Sequence, residues 1–217
     1  KIEINCPKHG NFSQRPSHHV FYGNGCPQCA FEIETSKPQL QIFEWIKSLG
    51  FNAILNDRQI LDGLELDILI PDYNLAIEYH GGYWHSFDRT ERSYERMRHS
   101  NKCDAALKKG IHLLQIFDAE WEQQQDLIKS MIRNRLGLSK RIYARRCSIV
   151  NIDKKDYYTF CDQNHLSGRK PCDVCYGLEY DNQIVSVISF TNKGDFFELE
   201  RFCSRIGHVV VGGLSKL

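Results

Sequence analysis

The first thirty residues carry almost no apolar repeat, yet they hold Cys6-Pro-Lys-His9 and, after sixteen intervening residues, Cys26-Pro-Gln-Cys29. A segment this short and this rich in Cys, His, Gly and Pro cannot bury enough apolar surface to hold itself together, so something other than a core must do so. Two pairs at x2 spacing, each able to form a chelating turn, offer that support. Three thiolates and one imidazole suit a tetrahedral zinc ion with no redox demand. Cys6, His9, Cys26 and Cys29 are therefore the expected zinc ligands, with His18 and His19 as alternatives to His9 in the fourth position.

The 217 residues contain nine cysteines, and their mixing with histidine points to metal rather than to a disulfide framework, hence to a reducing, cytoplasmic compartment. A second set, Cys161-x3-His165-x6-Cys172-x2-Cys175, is a weaker candidate for zinc. Cys161 and His165 fall on an expected helix, and Cys175 opens a strand that can bury it as a small hydrophobe. No stretch reaches the roughly 18 apolar residues of a spanning helix, and the start lacks the apolar core of a signal peptide, so no membrane partner is expected. The chain begins without Met and stops at Gly-Gly-Leu-Ser-Lys-Leu, so more chain is expected at both ends.

The net charge of +1 conceals two poles. From Asp57 to Asp88 seven acids (Asp57, Asp62, Glu65, Asp67, Asp72, Glu78, Asp88) stand against Arg58 alone. From Lys129 to Asp156 nine bases, among them Arg133, Lys140, Arg141, Arg145 and Arg146, stand against two acids. Carboxylates that hold a cation beside Lys and Arg that hold phosphates is what a metal-dependent enzyme acting on a polyanion requires. The plainer reading of the basic stretch is a solvated helix surface.

Apolar periodicity predicts a helix over 36–50 ended by Gly50, strands at FNAIL, LELDILI and NLAIEYHG, and a polar helix over 89–110. A buried strand over 111–117 and a helix over 119–136 carrying Trp121 in the core complete an α/β unit. From Lys140 the pattern restarts as a helix over 153–164 and three strands, CYGLEY, QIVSVISF and FFELERFC, with an Asp-Asn turn between the first two. The expected organisation is a zinc-binding module at 1–33, an α/β core at 34–138, and an incomplete C-terminal α+β domain at 139–217 with antiparallel strands.

The alternation of side chains along strands puts Glu65 and Asp67 on one face and Glu78 and His80 on one face of the next strand. If those faces coincide, Asp67 and Glu78 form a Mg²⁺ site, with His80 placed to orient or deprotonate water or to stabilise charge on phosphorus. Gly81-Gly82, followed by Trp84 and His85, lets a ligand or backbone approach closely.

Asp67, ten intervening residues and Glu78-x-His80 resemble the PD-(D/E)XK nuclease core, a mixed sheet flanked by helices, with His in place of the usual Lys. His80-Gly-Gly-Tyr-Trp-His85 is similar to the histidine-bearing strand end of the very-short-patch mismatch repair endonuclease. With the Glu-Leu-Asp-Ile strand, it resembles phage and intron-encoded homing endonucleases of that lineage, the EDxHD group, over residues 1–136. The segments after about 150 resemble a domain that accompanies these phage nucleases and is faintly similar to acetyltransferase-like folds, which carries no expectation of acyl transfer.

The resemblance implies a site-specific, Mg²⁺-dependent endonuclease of double-stranded DNA. Asp67 and Glu78 would be its metal ligands, His80 and His85 its groups acting on water and phosphate, and Lys102 would approach the phosphate, where a solvated lysine is the plainer reading. The zinc module and Arg133, Lys140, Arg141, Arg145 and Arg146 would hold the duplex. One departure stands out: the family's third carboxylate, near the start of the helix before the sheet, is replaced by Gln39 and Gln41. Glu44, one turn beyond Gln41, is the substitute the sequence offers. Otherwise the site is weakened, or the sequence was altered to trap a substrate complex; a DNA-binding protein with a decayed nuclease site is the alternative, and only a disabled nuclease would gain activity from Gln39→Glu. A third reading, an RNA-directed or structural zinc protein, lacks an RNA-reading motif.

Overall fold

The computed structural model describes residues 1–21, 23–29, 35–81 and 100–217. The protein is of mixed α/β class and divides into two compact units, Lys1–Gln115 and Ile116–Leu217.

The first unit opens with an antiparallel hairpin of β1 (Ile2–Cys6) and β2 (Gly10–Gln14), whose last pair is Cys6 with Gly10. Gly10 adopts φ +75°, which closes the turn between them at little steric cost. The single-turn α1 (Pro16–Val20) follows. Helix α2 (Lys37–Ser48) starts as its sequence demands: Ser36 caps it by accepting from the Gln39 backbone N–H at 3.3 Å, Pro38 sits in the first turn, and Gly50 at φ +89° ends it. Its inward face is Gln39, Ile42 and Ile46, at the i, i+3, i+7 spacing of one helical stripe.

A four-stranded sheet in the order β3–β4–β5–β6 is the centre of this unit: β3 (Ile54–Leu61), β4 (Leu64–Ile70), β5 (Leu75–His80) and β6 (His112–Phe117). The β3–β4–β5 run is an antiparallel meander. Its inner residues, Leu66, Ile68, Leu69, Ile70, Leu75, Ala76 and Ile77, are all buried. A continuous apolar run of this kind is what a strand covered on both faces requires. Helix α2 packs along β4, and the helix over 100–108, α3, lays Ala106 against Leu69 and Ala76.

Two sequence expectations shift here. The first strand runs from Ile54 to Leu61 rather than ending at Leu55, because the polar residues after it still pair with β4. The helix expected over 119–136 is two helices, α4 (Asp118–Gln123) and α5 (Gln125–Arg135), broken where Gln124 leaves helical geometry at φ −138°. Trp121 is buried as expected. The helix expected from 89 is described only over 100–108.

In the second unit, β7 (Lys140–Tyr143) pairs in parallel with β12 (His208–Val211). A separate antiparallel sheet has the order β11–β10–β9–β8, from β8 (Ser148–Asn151), β9 (Val174–Tyr180), β10 (Gln183–Asn192) and β11 (Phe197–Ser204). The β9–β10 turn is Asp181-Asn182, both with φ near +57°, the left-handed pair a two-residue hairpin favours. Helix α6 (Lys154–Asn164), capped by Asp153, packs against β10 and β11, and its buried Tyr157 hydroxyl meets Ser189 Oγ at 2.7 Å. Among the described residues no helix is long and apolar enough to cross a membrane.

The Ser36 cap yields a direct expectation. Ser36→Ala should weaken α2 by about 1 kcal/mol, read as roughly fivefold faster amide exchange along that helix with the β4 and β5 amides less affected.

Candidate functional site

The β1–β2 turn brings Cys6 and His9 together, and the chain returns with Cys26 and Cys29, so that all four ligand atoms lie within 4.8 Å of one another. His9 Nδ1 is 3.7 Å from Cys6 Sγ, 3.6 Å from Cys26 Sγ and 3.3 Å from Cys29 Sγ, and the Cys6 and Cys29 sulfurs are 3.6 Å apart. Ligands about 2.0–2.3 Å from a tetrahedral zinc ion stand about 3.5–3.8 Å from each other, so the residues fit such an ion. This cluster can therefore bind a metal such as zinc. His18 and His19, the alternatives to His9, are exposed on α1, where His19 Nδ1 lies 3.0 Å from the Asn24 carbonyl oxygen. The backbone N–H groups of Lys8 and then His9 bring the Cys6 thiol down to about 6, the direction that favours a metal-binding thiolate. Cys29, beside it, is pushed up to about 11 by its contact with Cys6.

Among the described residues no second group of three or more His, Cys, Asp or Glu ligand atoms comes that close. Cys161, Cys172 and Cys175 are buried with Cys203 in the apolar core around Tyr157, and His165 Nδ1 accepts from the Ser167 backbone N–H at 3.1 Å. The second cysteine set is thus core, the role small thiols fill well.

The acidic stretch resolves into a site and a set of unrelated surface groups. Asp57 accepts from the backbone N–H groups of Gln59 and Ile60, Asp62 pairs with Lys109 at 3.1 Å, and Asp72 is exposed. Glu65, Asp67 and Glu78 instead line one cavity of about 440 Å³, with His80, Lys102 and Arg58 also on its wall. Asp88 and His85 lie outside the described residues.

The geometry of Asp67 and Glu78 follows from the register. The β4–β5 ladder runs from Ile70–Leu75 to Ile68–Ile77, so the next opposed pair is Asp67 and Glu78, with both side chains on one face. There the carboxylates take over from backbone carbonyls: Glu78 Oε1 accepts from the Asp67 N–H at 3.2 Å, and Asp67 Oδ2 from the Tyr79 N–H at 2.8 Å. Glu78 is only 4% exposed. Lys102, on α3, reaches it and pairs with Glu78 Oε2. The lysine expected to contact DNA or solvent therefore lies against the carboxylates. Burial pushes the Asp67 carboxyl up, opposed by the Tyr79 N–H and by Lys102. Burial and then the Asp67 charge push Glu78 up, with Lys102 opposing.

Other expected residues stand elsewhere. Glu44 is exposed and does not line the cavity, because it lies about 140° around α2 from Gln39, away from the Gln39–Ile42–Ile46 stripe. Gln41 is likewise exposed. Gln39 is buried behind the cavity, and its amide donates to Asn56 Oδ1 at 2.7 Å and to the Asp67 carbonyl at 3.2 Å. That donor role speaks against the expectation that Gln39→Glu would restore a lost ligand. In the second unit Arg133, Lys140, Arg141, Arg145 and Arg146 are all exposed, spread over α5, β7 and the turn after β7 rather than on one helix. Arg145 and Arg146 stack over Tyr143 and Tyr180, at 5.1 and 5.2 Å from the ring centres. The Arg58–Glu65 pair on the cavity rim, joined at 2.6 Å, was not anticipated; the only signal in the sequence is their flanking of the β3–β4 turn.

A family model described as a protein of unknown function (DUF723) matches residues 1–30, the segment holding all four Cys and His ligands. No curated protein matches the chain, and no solved structure matches it.

Chelation that strips the ion from Cys6, His9, Cys26 and Cys29 should leave residues 1–30 open to protease while the 116–217 unit stays resistant, with Cys29→Ser reproducing the effect; limited proteolysis with metal analysis reads both. Asp67→Asn should stabilise the fold. The folded carboxyl titrates above its unfolded value, so its burial is a penalty that grows as pH rises through that range and vanishes below it. The variant should melt higher than the parent at pH 8, and the gap should close as the pH falls to 4.

Proposed function

We propose that the chain is a Mg²⁺-dependent DNA endonuclease of the PD-(D/E)XK type whose N-terminal module holds a structural zinc ion. The observation that carries this reading is the Asp67–Glu78 pair, opposed across the end of the β4–β5 ladder with the Lys102 ammonium against it. A half-buried and a buried carboxylate on one wall of an open cavity are the oxygen donors a hard divalent cation takes while keeping several waters. Bound there, such an ion supplies Lewis acidity to a phosphoryl oxygen and stabilises the leaving group.

The chain's own residues do the rest. Asp67 and Glu78 keep fixed orientations because each also accepts a backbone N–H, so little reorganisation is needed when a cation arrives. Lys102 offers a second positive charge within reach of the same cavity, suited to a phosphate oxygen. His80 lines the wall beside Glu78 and can orient or accept a proton from water. The exposed Arg and Lys side chains of 133–146 supply sequence-independent attraction for the phosphate backbone. Three sulfurs and one nitrogen at tetrahedral spacing make zinc the ion of choice for the N-terminal cluster.

A second reading, DNA binding without cutting, follows if a site with an amide at Gln39 in place of a third carboxylate does not turn over. The two separate on a library of supercoiled plasmids incubated with Mg²⁺. The nuclease reading expects nicked or linear product from a plasmid carrying the target, none from Asp67→Asn, and a gel shift that survives in that variant. Lys102→Met should lower the cutting rate on the order of 10²-fold or more. A salt-dependent shift with no Mg²⁺-dependent product from the parent chain would leave only the binding reading.

A further inference from the structure

Beside the cavity lies a largely buried polar chain that the carboxylate pair alone does not explain. Thr35 is 3% exposed and Gln39 6%, and Asn56 joins them: its Nδ2 donates to Thr35 Oγ1 at 2.9 Å while its Oδ1 accepts from Gln39 Nε2 at 2.7 Å. The second hydrogen of the same Gln39 amide goes to the Asp67 carbonyl oxygen at 3.2 Å. The β3–β4 register, from Ile54–Leu69 through Leu55–Ile68 to Asp57–Leu66, puts Asn56 directly opposite Asp67. Asn56 holds φ +51°, a left-handed conformation that asparagine tolerates better than most residues. Asp67 is thus gripped on three sides: by Glu78 and Tyr79 across β5, by β3 at a left-handed residue, and by Gln39 from α2.

We infer that Gln39 is a positioning residue for Asp67 and not the remnant of a metal ligand. The inference rests on the nuclease reading of the Asp67–Glu78 pair and deepens it: the cation site is built from two carboxylates braced by an amide. Donor counting carries it. Both hydrogens of the Gln39 amide, itself buried, meet acceptors, Asn56 Oδ1 and the Asp67 carbonyl. A carboxylate there has no hydrogen to give. Asn56 could rotate its amide and accept a proton from the Thr35 hydroxyl instead, but the Asp67 carbonyl has no such freedom. A glutamate would set its charge against that oxygen and push β4 away at the residue that must hold the cation.

The test uses the zinc-loaded chain and Mn²⁺ followed by electron paramagnetic resonance, so that it does not depend on cutting. Gln39→Met, which keeps shape and removes both hydrogens, should weaken Mn²⁺ binding about tenfold, and Gln39→Glu should weaken it further. Ile42→Val, on the same buried stripe of α2 but away from Asp67, controls for loss of helix stability and should leave the Mn²⁺ affinity unchanged. Tighter Mn²⁺ binding or faster cutting by Gln39→Glu would mean a vacated ligand and overturns the inference. Unchanged affinity in Gln39→Met reduces the amide to core packing and overturns it as well. Mn²⁺ uptake that Asp67→Asn abolishes, together with no DNA cutting by the parent, sinks the nuclease reading while Gln39 is still judged by its variants. Uptake indifferent to Asp67→Asn removes both.

Discussion

The first unit turns on one event in its sheet: the place where β4 and β5 stop exchanging backbone hydrogen bonds and side chains take over. After Ile68–Ile77 the Asp67 and Tyr79 N–H groups are accepted by carboxylate oxygens of Glu78 and Asp67. Buried N–H groups must find acceptors, and a carboxylate is a strong one. The consequence is two negative groups held close together on the wall of the cavity, each with its carboxyl raised by burial. Such an arrangement persists only if cations are at hand. Among the described residues Lys102 is the cation that pairs with Glu78, and it arrives there because Ala106, one turn further along α3, packs on Leu69 and Ala76 of the same sheet face. Apolar packing and the charged site are therefore set by one register.

The N-terminal module solves a different problem by different physics. Its β1–β2 hairpin has mostly exposed residues, with Cys6 as the buried end of β1, so little hydrophobic stabilisation is available. What the hairpin does provide is a turn that sets Cys6 and His9 at ligand spacing, and backbone N–H groups that favour the thiolate at Cys6. A metal that requires deprotonated sulfur then couples its binding to the folding of the segment.

Much of this was legible in the sequence, and the rest fails for identifiable reasons. Spacing sufficed for the Cys/His cluster, because x2 pairs report a local turn. Period-two alternation sufficed to put Asp67 and Glu78 on facing strands, since strand parity is strict. It could not tell Asp57, Asp62 and Asp72 from site residues, because a turn-capping aspartate and a ligand look alike until the register is known. The break at Gln124 was hidden inside an otherwise helical period. Strands β7, β8 and β12 were missed because each has only four residues, too few for alternation to register. Lys102 and Gln39 depend on tertiary contacts 24 and 28 residues apart in sequence, which no local pattern encodes. The Cys161–Cys175 set misled in the opposite direction, since ligand-like spacing arose from residues that a core simply buries.

Charge counting at the cavity ties these parts together. Glu65 pairs with Arg58 at the rim, which leaves Asp67, Glu78 and Lys102 as the charged groups deeper among the described residues. Among the described residues two carboxylates against one ammonium leave a single negative charge uncompensated, and burial raises both carboxyls, so that a proton is held more readily there. A divalent cation in the proton's place would instead leave the cavity with a single positive charge. That is the complement of one phosphodiester group, so the nuclease reading needs no third carboxylate, and one would restore neutrality and weaken the pull on a phosphate. An amide at position 39, neutral and donating, keeps that balance while holding the strand in place.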